Sequence, residues 1–300
     1  MKKAIVFGGS GFLGSYVADE LTERGYEVMV ADIKKSAYLK KSQKSVICDI
    51  MKPSDIEAVI KDAAVVYNFA GLADIDESSN FPRKTIEQNV IGTLNILEAS
   101  KAIKLERFIY ASSAYALSNK GGIYGISKLA AEKIVEEYHR RFSIPFSIIR
   151  YGSVYGERAD THNGVYQQLR QALETGVLHI ESDGEDVREY IHAADAAELS
   201  VDIIENEKFV NTHSILTGLE KMRKRDFAMM IKEILNDNIS VTFSDKPWDG
   251  HYQITPYSYQ PSVARKLVSN SFFDLGQGLV SCIKCIQEEI DNKKNERIDK

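Results

Sequence analysis

Short apolar runs alternate with amphipathic stretches through the first half of the chain. The runs Lys3–Phe7, Glu27–Ala31, Lys44–Cys48, Val65–Phe69, Phe108–Ala111 and Phe146–Arg150 are mostly β-branched or aromatic and end in turn residues. That is the pattern of strands buried on both faces. Between them Phe12–Arg24, Pro53–Lys61, Arg83–Ile103 and Tyr124–Phe142 carry helical spacing, and Pro53 stands where a first helical turn accepts proline. Strand and helix in alternation predict a parallel sheet covered by helices on both faces. Beyond Gly156 the pattern loosens. It predicts helices over Gly164–Thr175, Ala193–Glu205 and Arg225–Leu235 and from Gly278, strands over Val210–Ile215 and Ile239–Phe243, an irregular loop over Asp245–Gln260, and a charged, frayed end over Asn292–Lys300.

A length of 300 residues admits one large domain or two coupled ones, and 44% hydrophobic with 27% charged residues excludes a disordered or fibrous chain. The formal net charge of −5 argues against a nucleic-acid partner, which calls for a basic surface. No apolar run reaches the roughly 18–20 residues of a membrane span, so no membrane partner is expected. Met1-Lys2-Lys3 resembles the start of a signal peptide, but the apolar stretch before Gly8-Gly9 is too short for a signal core. Three cysteines give no disulfide framework, and a reducing, cytoplasmic setting is the expectation.

Candidate chemistry begins at Gly8-Gly9-Ser10-Gly11-Phe12-Leu13-Gly14, between the first strand and the first helix. Glycines at 8, 11 and 14 permit a sharp turn, close approach of a pyrophosphate and tight packing of helix on strand. The helix N-terminus then offers unpaired N–H groups to the anion. Asp32 closes the second strand, where a carboxylate accepts the adenosine ribose hydroxyls and repels a 2′-phosphate, favouring NAD over NADP. Lys34 and Lys35 keep NADP open as the minor alternative. Tyr124 and Lys128 lie four residues apart on a long helix and so share one face. Free tyrosine ionises near pH ~10. A neighbouring ammonium favours the phenolate and makes Tyr124 a usable base. Ser112 and Ser113 follow the strand Phe108–Ala111 at the carboxyl edge, where open α/β sheets bind ligands.

In these residues, over nearly its whole length, the sequence resembles the extended short-chain dehydrogenase/reductase family, in its nucleotide-sugar epimerase/dehydratase branch. The resemblance implies a Rossmann-type doubly wound parallel sheet with a smaller α/β substrate-binding domain: residues 1–155 bind NAD, and 156–300 mainly bind a nucleotide-diphosphate sugar while returning segments to the first domain. It places Asp49 and Ile50 beside the adenine, the Phe69-Ala70-Gly71 loop under the cofactor, Asn89 on a supporting helix, and Tyr151 on the segment passing the nicotinamide. Catalysis falls to Ser113, Tyr124 and Lys128. Arg188, in Asp183-Gly184-Glu185-Asp186-Val187-Arg188-Glu189-Tyr190-Ile191-His192, is implied to grip the nucleotide pyrophosphate, with Arg158 the next candidate. The helices Arg83–Ile103 and Tyr124–Phe142 correspond to those that pair across a two-fold axis, implying a homodimer.

The departures are informative. Ser113 is followed by Ala114-Tyr115-Ala116-Leu117 in place of the family's Val-Tyr-Gly continuation, and the stretch to Tyr124 is short. Ser153 replaces the Asn that contacts substrate phosphate, and Gly250-His251-Tyr252-Gln253 stands where an Arg-Pro-x-Asp clamp is usual. Ala114 and Tyr115 also replace the Asp-Glu pair of 4,6-dehydratases, so elimination is disfavoured. C4 epimerisation through a transient ketone is the first expectation. A 4-keto reductase or oxidoreductase with exchangeable NAD(H) is the alternative, ahead of a dehydratase or a non-catalytic NAD-binding protein. Leu279, Cys282, Ile283, Ile286 and Ile290 follow helical spacing, so Cys282 reads as packing, and Cys282-Ile283-Lys284-Cys285 lacks the further ligands of a zinc site; no metal is expected. The run Lys221–Arg225 reads as a solvated helix start, and His192 as a cap or packing residue. Trp248, Tyr252, Tyr257 and Tyr259 either floor a base pocket or pack on the core.

Overall fold

The computed structural model describes residues 1–118, 120–245, 251–256, 265–267 and 273–298; Trp248, Tyr257 and Tyr259 lie outside them. In chain order the first half contains β1 (Lys3–Phe7), α1 (Phe12–Glu23), β2 (Glu27–Asp32), β3 (Lys44–Ile47), α2 (Pro53–Ile60), β4 (Val65–Asn68), α3 (Ile75–Asn80), α4 (Pro82–Ile86), a π turn (Glu87–Ile91), α5 (Gly92–Ser100), β5 (Arg107–Ser113), a 3-10 turn (Ala114–Leu117), α6 (Gly122–Phe142) and β6 (Phe146–Tyr151). Then come β7 (Ser153–Tyr155), α7 (Gly164–Thr175), β8 (Val177–Ile180), β9 (Val187–Arg188), β10 (Tyr190–His192), α8 (Ala193–Glu205), β11 (Thr212–Leu216), β12 (Met222–Arg223), α9 (Lys224–Ile234), β13 (Ser240–Phe243), β14 (Arg265–Leu267) and α10 (Leu275–Ile298).

Eight strands form one sheet in the order β14-β11-β6-β5-β4-β1-β2-β3, and every pair in it is parallel. Alternate strand residues face opposite layers. Val6, Val28, Tyr67 and Ile149 pack under α1 and α8 with Val17, Leu21 and Ala196. Ile5, Phe7, Phe108 and Ile148 pack under α2, α5 and α6 with Ile56, Leu97 and Val135. A third core, with Leu169, Leu178, Phe227, Ile231 and Leu279, lies among α7, β8, α9 and α10 and marks a smaller α/β part. The winding reverses at β1, which pairs with β2 on one side and β4 on the other. The carboxyl ends of β1 and β4 therefore diverge and leave a crevice.

The helix expected over Arg83–Ile103 runs unbroken from Pro82 to Ser100, but a π turn over Glu87–Ile91 is inserted in it and widens the backbone at Asn89, whose side chain is buried. The strands β7, β9, β10 and β12 are two or three residues long, too short for a hydrophobic period to show. Among the described residues no helix is long and apolar enough to cross a membrane, and no group of three or more metal-ligating side chains gathers. Cys282 is buried in the third core, as its spacing predicts.

Candidate active site

The crevice begins with the glycine turn after β1. Gly8 has φ of 76°, and a Cβ there would lie 2.5 Å from the Ala70 nitrogen; a Cβ on Gly14 would lie 2.4 Å from the Gly8 oxygen. Side chains at either position would block the approach of the 69–71 loop or of α1. Gly11 caps α1 without a side-chain partner, and no acidic residue occupies the first turn, so its N–H groups and positive dipole end face the crevice. Phe12 and Leu13 pack α1 onto the third and first cores. Asp32, at the end of β2, accepts hydrogen bonds from the Ser10 N–H at 3.0 Å and the Lys34 N–H at 3.2 Å. These two backbone bonds fix the carboxylate beside the turn. Asp49 and Ile50 follow β3: Asp49 accepts from the Met51 N–H at 2.9 Å, and Ile50 packs where a Gly92 side chain would stand.

The strap Phe69-Ala70-Gly71 leaves β4 opposite the turn. Gly71 has φ of 144°, and a Cβ there would lie 2.3 Å from Asn89 Oδ1. Asn89 accepts from the Leu72 N–H at 2.8 Å and donates to the Leu72 carbonyl at 2.9 Å and the Ser127 hydroxyl at 2.9 Å. Its amide is consumed in tying the strap to α6, so it positions the site from below. Tyr151 is turned similarly inward: its ring lies 5.9 Å from Phe69, and its hydroxyl bonds Ser200 on α8 at 2.7 Å.

Ser113 ends β5, and Tyr124 and Lys128 stand on α6 beside it, all three buried. Burial pushes the Tyr124 phenol up to about 12, while the hydrogen-bonded Ser113 hydroxyl pulls the other way. Burial pushes the Lys128 ammonium down to about 8, opposed by the Glu132 carboxylate. Lys128 Nζ donates to the Ala111 carbonyl at 2.9 Å and lies 5.8 Å from the Tyr124 ring centroid. A buried network supports this group from below. Glu132 accepts from the Ser112 hydroxyl at 2.5 Å and takes Arg150 in a two-pronged pair at 2.8 and 2.6 Å.

Facing these residues, Arg188 is 5% exposed, and its Nη2 is buried with no hydrogen-bond partner among the described residues. Beside it, Lys224 is also buried, 3.3 Å from Asp186. Burial foremost, and then the Arg188 cation, holds the Lys224 ammonium below its ordinary value. Arg188 and Lys224 are thus two buried cations within electrostatic reach of each other. Tyr252 lies between: its ring is 4.4 Å from the Arg188 guanidinium and 4.6 Å from the Tyr115 ring, and its hydroxyl is hydrogen-bonded to Ser153. Tyr115 in turn packs edge-on to Tyr124.

Arg158 donates to Asp19 of α1 at 2.6 Å and is stacked between Tyr16 and Tyr38, with its Nη1 buried and without a hydrogen-bond partner among the described residues. One sequence expectation needs correcting. Lys224 is not part of a solvated helix start, although Arg223 and Arg225 are, paired with Asp226 and Glu185. His192 caps α8, accepting from the Ala194 N–H, and stacks on Phe273, the packing role expected of it. Sequence reasoning missed Lys224, Asp186 and Glu132 as members of the site. Glu132, one turn beyond Lys128 on α6, carried the one local signal.

The glycine cradle, the bare N-terminus of α1 and the fixed Asp32 fit a dinucleotide. The comparisons agree. The sequence model described as the NAD dependent epimerase/dehydratase family matches residues 4–216. A putative UDP-glucose 4-epimerase of Methanocaldococcus jannaschii is 29% identical over 66% of this chain and 72% of its own. A UDP-N-acetyl-alpha-D-glucosaminuronate decarboxylase of Bacillus cytotoxicus is 27% identical over 81% of each chain. Among solved structures, a UDP-glucuronic acid 4-epimerase of Bacillus cereus in complex with UDP-glucuronic acid and NAD superposes with a TM-score of 0.83. It is 25% identical, over 96% of this chain and 99% of that one.

Proposed function

From the premise that the chain belongs to the NAD-dependent epimerase/dehydratase family, we propose that it inverts C4 of a nucleotide-diphosphate sugar through a transient 4-keto sugar. One observation carries the reading: Ser113, Tyr124 and Lys128 are buried together at the carboxyl edge of β5, while Ala114 and Tyr115 supply no carboxyl pair for elimination. Tyr124 takes the proton of the C4 hydroxyl and returns it to the ketone oxygen after the sugar has turned over. Ser113 orients that oxygen, and the Lys128 cation favours the phenolate. The cradle and Asp32 would hold NAD, which would supply the acceptor and donor of hydride at C4. Arg188 and Lys224 receive the pyrophosphate, with Tyr252 and Ser153 beside it. The UDP-sugar relatives support uridine diphosphate as the nucleotide.

On this reading residues 1–155 bind NAD and 156–300 mainly bind the sugar nucleotide, with β11 and β14 returning to the large sheet. The enzyme works as a cytoplasmic homodimer joined through α5 and α6. The decarboxylases among the relatives favour one second reading, because a 4-keto uronic acid is a β-keto acid that loses carbon dioxide readily. The test is thermal unfolding of the NAD-loaded protein with UDP-glucose, UDP-glucuronate and UDP-N-acetylglucosamine. A ligand at a hundred times its Kd stabilises by about 2.7 kcal/mol. At least one sugar nucleotide should do so, and Arg188→Ala should abolish the effect while leaving stabilisation by NAD. Stabilisation by none overturns the reading, and carbon dioxide release from UDP-glucuronate favours the second.

A further inference from the structure

His251 and Tyr252 are remote in sequence from Tyr115, yet both pack against it. The Tyr115 hydroxyl lies 2.6 Å from His251 Nδ1. Burial, with the Lys224 and Arg188 cations adding to it, pushes His251 down to about 4, so at neutral pH the imidazole is uncharged and hydrogen-bonds the phenol through Nδ1. Burial likewise pushes the Tyr115 phenol up, and it stays protonated. The Tyr115 ring is seated against Gly121, where a Cβ would lie 2.5 Å from its Cδ1, and packs edge-on to Tyr124 at 6.2 Å. On the other side the Val187 N–H donates to the Gln253 carbonyl at 2.7 Å. Residues 251–256 are therefore pinned at the reacting end by Tyr115 and at the anion end by β9, with Tyr252 lying against Arg188 between the two pins.

We propose that Tyr115 is a positioning residue which, through its hydrogen bond to His251, holds segment 251–256 across the cleft with Tyr252 against Arg188, and so sets the affinity for the nucleotide diphosphate. The physical basis is preorganisation: a segment ordered before the ligand arrives loses less entropy on binding. This rests on the nucleotide-sugar reading for its ligand, but not for the bond itself.

The test uses NAD-loaded protein titrated with uridine diphosphate. Tyr115→Phe keeps the ring and loses the bond, and should weaken binding about five- to tenfold, the worth of one buried hydrogen bond. His251→Ala should lose as much, the double variant no more than either single one, and His251→Gln, which keeps an acceptor, should recover most of the affinity. NAD affinity should not move, and in turnover the loss should fall on KM more than on kcat. Amide exchange over 251–256, measured without nucleotide, should accelerate in Tyr115→Phe. Unchanged affinity with unchanged exchange, or losses that simply add in the double variant, would overturn the proposal. If uridine diphosphate does not bind the wild type, the nucleotide-sugar reading falls instead, and the exchange measurement alone still decides for or against the tether.

Discussion

Tyr124 and Lys128 sit one turn apart on α6, and burial moves their acidities apart, the phenol up to about 12 and the ammonium down to about 8. For Lys128 this is a destabilising arrangement. Its folded value lies below the ordinary 10.5, so the charged form is penalised in the folded state. The penalty is complete below pH about 8 and fades as pH rises toward 10.5. Lys128→Met should therefore be inactive yet more stable than the wild type at pH 7, with the two denaturation midpoints converging above pH 10.5. A less stable variant at pH 7 would show that the ammonium's bond to the Ala111 carbonyl outweighs its burial. Tyr124→Phe should lose about 10²- to 10⁴-fold in turnover with little change in sugar-nucleotide binding. Glu132 works by structure. Its carboxylate is fully buried against Arg150, and Glu132→Ala leaves that guanidinium unpaired, at a cost of about 3–5 kcal/mol in urea denaturation.

At the scale of elements, the glycine turn is the most constrained piece of the fold. Gly14→Ala places a Cβ 2.4 Å from the Gly8 oxygen, which is backbone and cannot step aside. Calorimetry should show NAD binding lost or weakened more than a hundredfold; retained binding would mean that α1 can shift without disturbing the cradle. That turn was legible from the sequence because its glycines are local and ordered between one strand and one helix. The strands of the sheet were legible for the same reason: residues such as Ile5, Val66 and Ile148 are buried on both faces and form continuous apolar runs. The π turn at Asn89 was not legible, since the bonds that draw Asn89 inward come from Leu72 and Ser127, remote in sequence. Nor was the fate of Arg158 or Lys224. A cation reads alike whether it meets solvent, Asp19 or Asp186, and only the fold decides which. Ser113, Tyr124 and Lys128 come together because β5 and α6 are consecutive, whereas the His251 side of the cleft arrives from a segment with no pattern of its own.

For the whole molecule, the reading divides labour between a sheet that carries the redox cofactor and a smaller body that carries the anion. Tyr16 of α1 and His192 of β10 both meet Glu157, at 2.6 and 3.3 Å, and join the two parts. The face of α6 bearing Ile126, with Ile91 of the adjoining π turn, stays exposed in the single chain. Sedimentation at micromolar concentration should give twice the chain mass, and a monomer at every concentration would refute pairing through this face. The central claim is that hydride leaves and returns within one turnover. Incubation of the NAD-loaded protein with its sugar nucleotide in deuterated water, followed by proton NMR, tests it most directly. The account predicts an equilibrium mixture of the two C4 epimers, no deuterium on any sugar carbon and no net change in NAD. Consumption of one NAD or NADH per sugar, or deuterium on carbon in a 4-keto-6-deoxy product, would contradict it.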